Sequence, residues 1–174
     1  MKSDVLIRSA TRQDADSLLE IYRPYVEDSA ISFELEVPAL AAFQDRIVAA
    51  VDKWAWLVAE VNGTPVGYAY GSAHRPRAAY HYSVETSAYV SEAFQKKGIA
   101  RSLYRQLIDV LIEKGYCSAY AGVALPNDAS IGFHLSMGFE HIGVFPRVGR
   151  KFGRWHDVAW LYRPLASTST NEHQ

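Results

Sequence analysis

Cysteine is almost missing from this chain. Among 174 residues only Cys117 carries a thiol, so no disulfide can close within the chain. That usage suits a reducing compartment, and the expected location is the cytoplasm. Cys117 lies in a run that reads as a strand, where a lone thiol is expected to be a small buried core residue. An excess of one charge is missing too. Lys and Arg number 18, Asp and Glu 19, for a net charge of −1. A basic surplus is the usual footprint of nucleic-acid or anionic-membrane binding, so neither partner is expected. No apolar run approaches the length of a bilayer span. No long apolar stretch follows Met1–Asp4, so no signal peptide is expected. His156 and Asp157 stand side by side, but two such residues are too few for a metal centre. No metal is expected.

Apolar residues make up 49% and charged residues 21% of the chain, the mix of a globular protein that can bury a real core. No repeat or linker divides it, so a single domain over residues 1–165 is expected. Residues 166–174 are polar and rich in Ser and Thr, and are expected to be disordered.

Val5-Leu6-Ile7 reads as a first strand. Thr11 and Asp14 form a variant capping box before Ala15, Leu18, Leu19, Tyr22 and Val26, which keep helical spacing. Pro24 is expected to end or kink that helix. Residues 28–37 look irregular. Pro38 suits the first position of a second helix carrying Leu40, Phe43, Ile47 and Val51. Trp56–Val61 and Val66–Ala73 read as strands joined at Asn62-Gly63, a hairpin turn signal. Residues 74–79 read as a loop and Tyr82–Val90 as a strand. Ile99, Leu103, Leu107, Val110 and Leu111 mark a helix stopped by Gly115. Tyr116–Val123 is a strand, and a short helix over 129–136 stops at Gly138. Strands at Ile142–Phe145 and Val158–Tyr162 follow, with the last hairpin around Lys151–Trp155. This order implies an α/β (α+β) fold, a mixed sheet with the early and late helices on opposite faces.

The most informative stretch runs from Ala88 to Arg101. A strand ends, a Lys96-Lys97-Gly98 turn follows, and an amphipathic helix begins. The first backbone N–H groups of a helix have no internal partner, and the helix dipole adds positive character there. Such a start can hold a phosphate, and a glycine lets the backbone approach it. Gln95, Lys96, Lys97 and Arg101 can add donors and charge. A solvated charged turn would look similar.

Two blocks in order decide between these readings. Gln95-x-x-Gly98-x-Ala100 on a strand–loop–helix resembles the acetyl-CoA pyrophosphate loop of the GNAT acetyltransferase superfamily. Residues 127–139, from Asn127 through Ser130 and His134 to Gly138-Phe139, resemble that superfamily's Asn-x-x-Ala/Ser-x-x-x-Tyr-x-x-x-Gly-Phe helix. Within the superfamily, Leu125-Pro126-Asn127-Asp128, the strand Val84-Glu85-x-Ser87-x-Tyr89-Val90-Ser91, and Phe152-Gly153-x-Trp155-His156-Asp157 are similar to the phosphinothricin N-acetyltransferase subfamily. That subfamily also acetylates methionine sulfoximine and methionine sulfone. The resemblance runs from about Ile7 to Leu165.

It implies the GNAT fold: a mostly antiparallel sheet of six or seven strands, helices on both faces, and a splay between the fourth and fifth strands. It implies acetyl-CoA as co-substrate, with Ala88, Tyr89 and Val90 pairing pantetheine through their backbone. Gln95, Lys96, Lys97, Gly98, Ile99, Ala100 and Arg101 would hold the diphosphate. Asn127 would bond the pantetheine arm, besides capping its helix, and Ser130 would add a contact. The matching subfamily glutamate makes Glu85 the base. A structural glutamate paired with a nearby arginine is the alternative. His134 replaces a tyrosine that serves as an acid for the thiolate in many members, and it could equally be a packing residue. Phe33, Glu34, Arg75, Pro76, Arg77 and Tyr80 fall in the substrate region, with Tyr82 beside them. Arginine pairs suit carboxylate or phosphinate oxygens, though exposed arginines are usually solvated.

The implied reaction is direct transfer to the primary amine of a small amino acid analogue, and a homodimer is implied as well. A different acceptor, such as a protein N-terminus or a polyamine, is the first rival. A non-catalytic acyl-CoA sensor is the second, because fold does not fix function.

Overall fold

The computed structural model describes residues 5–165, so the tail expectation for 166–174 lies outside the described residues. Seven strands form one sheet in the order β1-β2-β3-β4-β5-β7-β6. They are β1 (Val5–Ser9), β2 (Trp56–Val61), β3 (Thr64–Ala73), β4 (Ser83–Val90), β5 (Ser118–Ala124), β6 (Glu140–Lys151) and β7 (Arg154–Pro164). Four helices cover it: α1 (Ala15–Glu27), α2 (Leu40–Lys53), α3 (Ile99–Glu113) and α4 (Asp128–Ser136).

The two faces have separate cores. Leu18, Leu19 and Tyr22 of α1 and Phe43 and Ile47 of α2 pack with Trp56, Val58 and Tyr68. Leu103, Leu107 and Leu111 of α3 pack on the other face with Leu57, Ala59 and Val84. Alternation along β2 sends neighbouring residues to opposite faces, which is why Trp56 and Leu57 join different cores. Each of the three leucines is fully buried, so truncating one to alanine costs about 2–5 kcal/mol.

Several local expectations need correction. α1 continues through Pro24 to Glu27. Proline removes one hydrogen bond, but Val26 is buried and the Tyr25 hydroxyl donates to the Val90 carbonyl at 2.5 Å, so tertiary contacts hold the last turn. α2 starts at Leu40, two residues after Pro38, because its first bond runs from the Phe43 N–H to the Ala39 carbonyl at 3.0 Å. Leu40 is exposed rather than core. Cys117 is exposed, not buried. It stands one residue before β5, outside the alternation that buries Ala119 and Ala121.

Among the described residues β4 and β5 are the only adjacent parallel pair, and their pairing is short. It covers Ser83 with Ser118, Val84 with Ala119 and Glu85 with Tyr120, then stops. β4 runs on to Val90 and β5 to Ala124. The strands therefore part just after Glu85, and that split positions the site.

Candidate active site

A cavity of about 620 Å³ opens at the split. Its floor is Glu85, Thr86, Ser87 and Tyr89 of β4 and Gly122 and Ala124 of β5. One wall is the irregular segment after α1, with Ile31, Ser32, Phe33 and Glu34, backed by Tyr22, Arg46 and Tyr70. The opposite wall is Phe145, Val148, Val158 and Trp160 from β6 and β7.

Glu85 stands at the point of parting, in register with Tyr120. Burial pushes its carboxyl above the usual range, while His74 and Arg75 pull it back. The His74 Nδ1 lies 3.0 Å from Oε1, and the Arg75 Nη1 donates to the same oxygen at 3.3 Å. The base reading and the arginine-paired reading of Glu85 thus describe one geometry. His74 is a member that sequence reasoning missed. Its ring stacks on Tyr120 at 4.6 Å, across from Glu85. The β3–β4 register, which sets Ser72 opposite Glu85, is the signal that could have found it.

Glu34 forms the second charged feature. It accepts from the Tyr22 hydroxyl at 2.6 Å and from both terminal nitrogens of Arg46, at 2.6 and 3.1 Å. Burial alone would raise its carboxyl, but Arg46 and Tyr22 outweigh it and hold the group below the usual range. Tyr22 and Arg46 escaped the sequence reading because the first also fits a core stripe and the second an exposed helix face.

The other residues expected in the substrate region divide. Phe33, Glu34 and Glu85 come together in the cavity. Arg75, Pro76, Arg77 and Tyr80 line a separate cavity of about 230 Å³ with Lys53, His74 and His81. Only Arg75 reaches across, through Glu85. Arg77, Pro76 and Tyr80 therefore do not join the main cavity, and Tyr82 is 63% exposed outside it. The physical reason is the direction of the loop, which turns away from the split through the 3-10 turn at Ala78–Tyr80.

On the other side of the split the groups are backbone. Along an antiparallel strand, successive residues aim their N–H and C=O at opposite edges. The Ser91 N–H donates to the Val66 carbonyl of β3 at 2.9 Å, so Tyr89 also belongs to that ladder, opposite Tyr68. Val90 points to the outer edge, but the Tyr25 hydroxyl takes its carbonyl and lies 3.4 Å from its N–H. Ala88 shares that outer edge and has no β5 partner there. Of the three backbone positions expected to pair with a ligand, Ala88 is the open one.

The turn after β4 leads into α3 through Gly98, whose φ of +82° is left-handed. No side chain caps this helix among the described residues. Its first internal bond runs from Ser102 N–H to the Gly98 carbonyl, so the N–H groups of Ile99, Ala100 and Arg101 have no partner within the helix. A Cβ at Gly98 would meet nothing within 4 Å, so the space over the turn is clear. Lys96 is also left-handed. Lys97 rests its ammonium over the Phe94 ring at 4.9 Å. The Gln95 amide instead donates back to the Tyr25 hydroxyl at 3.0 Å, and Arg101 donates to the Ser136 hydroxyl at 3.0 Å. These two side chains brace the turn.

Asn127 caps α4, accepting the Ser130 N–H at 3.1 Å. His134 does not reach the cavity. It is 7% exposed, with Nδ1 2.7 Å from the Ser130 carbonyl and Nε2 3.0 Å from the Tyr104 hydroxyl. A carbonyl only accepts, so Nδ1 carries the proton, while Nε2 faces the Tyr104 hydroxyl, which also contacts the Thr86 hydroxyl at 3.3 Å. Burial lowers its basicity. Burial favours the neutral ring and both nitrogens are occupied, which departs from the expected acid.

An uncapped helix start, a clear left-handed glycine and an open strand edge fit a diphosphate and the amide arm attached to it. Residues 7–160 match the acetyltransferase (GNAT) domain family. The chain belongs to the GNAT acetyltransferases. It is 35% identical to a phosphinothricin N-acetyltransferase of Streptomyces coelicolor, over 94% of this chain and 98% of that one. It is 36% identical to an L-methionine sulfoximine/L-methionine sulfone acetyltransferase of Salmonella typhimurium, over 91% and 94%. A GNAT phosphinothricin acetyltransferase from Sinorhizobium meliloti, solved in complex with AcCoA, superposes with a TM-score of 0.91 at 33% identity, covering 98% of this chain and 94% of that one. As a GNAT acetyltransferase the chain uses acetyl-CoA to acetylate an amine. No helix among the described residues is long and apolar enough to cross a membrane.

Proposed function

We infer that this chain acetylates the primary amine of a small amino acid analogue of the phosphinothricin, methionine sulfoximine or methionine sulfone type. The observation that carries the reading is Glu85, a carboxylate of raised basicity where a cavity of small-molecule size meets the split. The names of the similar enzymes supply the acceptor class.

Bound acetyl-CoA supplies an activated acyl group. Lys96, Lys97 and the free amides of Ile99, Ala100 and Arg101 hold its diphosphate. The open backbone of Ala88 pairs with its amide arm and turns one N–H toward the acetyl oxygen, a minimal oxyanion donor. An ammonium cannot attack, so Glu85 takes its proton, directly or through one water. A base of raised pKa is better matched to that task than an ordinary carboxylate. Arg46 lines the cavity and Arg75 meets it through Glu85, and these cations supply attraction for the acceptor's anionic group. Placing both reactants in one split supplies rate through proximity, with no covalent enzyme intermediate. His134 takes no part as an acid in this scheme. The thiolate is a good leaving group, and once the C–S bond breaks it takes up, through solvent, the second proton that the acetylated nitrogen sheds, so no strong acid is needed.

A homodimer goes with this reading. Exposed Ile142, Val144, Phe145, Val148, Phe152 and Trp155 along β6 and β7 give the outer edge of the sheet an apolar surface that a second copy would cover. Sedimentation of the purified chain tests it, and a monomer at micromolar concentration would remove it.

Thiol release from acetyl-CoA tests the acceptor. Methionine sulfone, methionine sulfoximine and phosphinothricin should each accelerate release over buffer. Release driven only by a peptide N-terminus or a polyamine would overturn the assignment, and no release with any amine would favour a sensor.

A further inference from the structure

Lys151 is 3% exposed and lies far from the split in sequence. Its ammonium donates to two backbone carbonyls, Val26 at 2.6 Å and Ser32 at 2.7 Å. Val26 is in the last turn of α1, where carbonyls lack helical partners and a cation is favoured. Ser32 belongs to the irregular segment that walls the cavity. The same hairpin touches that segment twice more. The Phe33 ring lies so close on Gly149 that a Cβ there would overlap it, and it faces the His156 ring at 6.1 Å. His156 in turn lies 3.2 Å from the Lys151 carbonyl. A buried ammonium is costly unless its donors are used. Two carbonyls are a poor reason to bury one merely for stability, when an apolar side chain would fill the space. What the two bonds do is join the end of β6 to the strip carrying Ile31, Ser32, Phe33 and Glu34.

We propose that Lys151 is a positioning residue for the amine acceptor: it ties the β6–β7 hairpin to the Ser32–Glu34 wall and sets the width of the acceptor cavity. The inference rests on that cavity being the acceptor site. The donor side, at Ala88 and the α3 start, makes no direct contact with this tie and meets it only through Tyr25, which keeps its own bonds to Val90 and Gln95. Replacing the lysine should therefore act on one substrate only.

The test compares Lys151→Met, Lys151→Arg and Gly149→Ala by steady-state kinetics against both substrates, with hydrogen exchange of peptides spanning 28–37. Lys151→Met should raise the acceptor KM by about tenfold, with the acetyl-CoA KM within about twofold. Lys151→Arg, which keeps the donors, should recover part of that loss. Gly149→Ala, which leaves the lysine and displaces Phe33, should raise the acceptor KM in the same selective way. Exchange over 28–37 should quicken in Lys151→Met while the central strands stay protected. Equal rises in both KM values, a fall in kcat alone, or unchanged exchange would overturn the tie. If Lys151→Met does not fold, Gly149→Ala separates the same outcomes. Should the wild-type chain acetylate none of the amines tried, the acceptor assignment falls, and the exchange measurement still decides whether Lys151 holds the wall.

Discussion

The two sides of the split are built from different materials. The proposed donor side is backbone: the open edge of Ala88 and the uncapped start of α3 at Gly98. The proposed acceptor side is side chains from several separated stretches, with Glu34, Arg46, His74, Arg75 and Glu85 as its charged or titratable members. Backbone recognition tolerates many side chains but depends on φ and on strand pairing. Side-chain recognition depends on identity and charge. Substitutions should therefore sort by side, and the largest effect belongs to Glu85. Glu85→Gln removes the base without changing shape, so kcat should fall by about 10²–10⁴-fold. In the wild type, activity should rise with pH as Glu85 loses its proton. Because burial raises that pKa, the rise should lie above the ordinary carboxylate range. A pH–rate profile of both proteins checks this, and an unchanged profile in the variant would move the base elsewhere.

His134 sharpens the contrast because it belongs to neither side. His134→Ala removes the ring from the Ser130 carbonyl and from the Tyr104 hydroxyl, which keeps Thr86 at 3.3 Å, and opens a void. The cost should be about 2–4 kcal/mol of stability, read by denaturant unfolding. Turnover of the folded fraction should stay within about twofold, because neither ring nitrogen is free to give a proton. A collapse of kcat with stability intact would return the ring to the reaction.

What was legible in the sequence follows the same division. The donor side could be read because a left-handed glycine before an amphipathic helix is a local pattern, as Gly98 with Ile99, Leu103 and Leu107 shows. The faces of the sheet were legible for the same reason, through period-two and period-3.6 spacing. The acceptor side was legible at Phe33, Glu34, Arg75 and Glu85, and there mainly through resemblance. His74 and Arg46 reach the site by the β3–β4 register and the packing of α2, which no local pattern records. Arg77 was misplaced because a loop's composition does not give its direction. Cys117 was misassigned by one residue of strand boundary, enough to turn a side chain outward. Lys151 reads only as part of the last hairpin, and the fold alone brings it to Val26 and Ser32.

Gly98→Ala tests the donor side without touching a side chain. A Cβ there meets nothing in the protein, so stability should fall only by the cost of a left-handed alanine, about 1–2 kcal/mol. If the diphosphate lies against this turn, the acetyl-CoA KM should rise further, by about tenfold, with the acceptor KM little changed. Equal affinity in both proteins would place the diphosphate elsewhere.

The smallest expected effects come from the two loop arginines, and their inequality is the point. Arg75 lowers the Glu85 pKa through a direct bond at 3.3 Å. Without it the carboxyl should hold its proton to higher pH, so the rising limb of the Arg75→Ala profile should shift upward. At pH values below that limb activity should drop several-fold, and at high pH it should largely recover, apart from any acceptor affinity that Arg75 supplies. Arg77 lines the separate cavity and makes no bond to Glu85, so Arg77→Ala should leave both KM values and the limb within about twofold of the wild type. Two arginines two residues apart would then differ because one side chain turns into the split and the other turns out of it. Equal acceptor KM rises in both variants would mean that the loop folds over the amine when it binds, and that the acceptor side has a third cation the free cavity does not display.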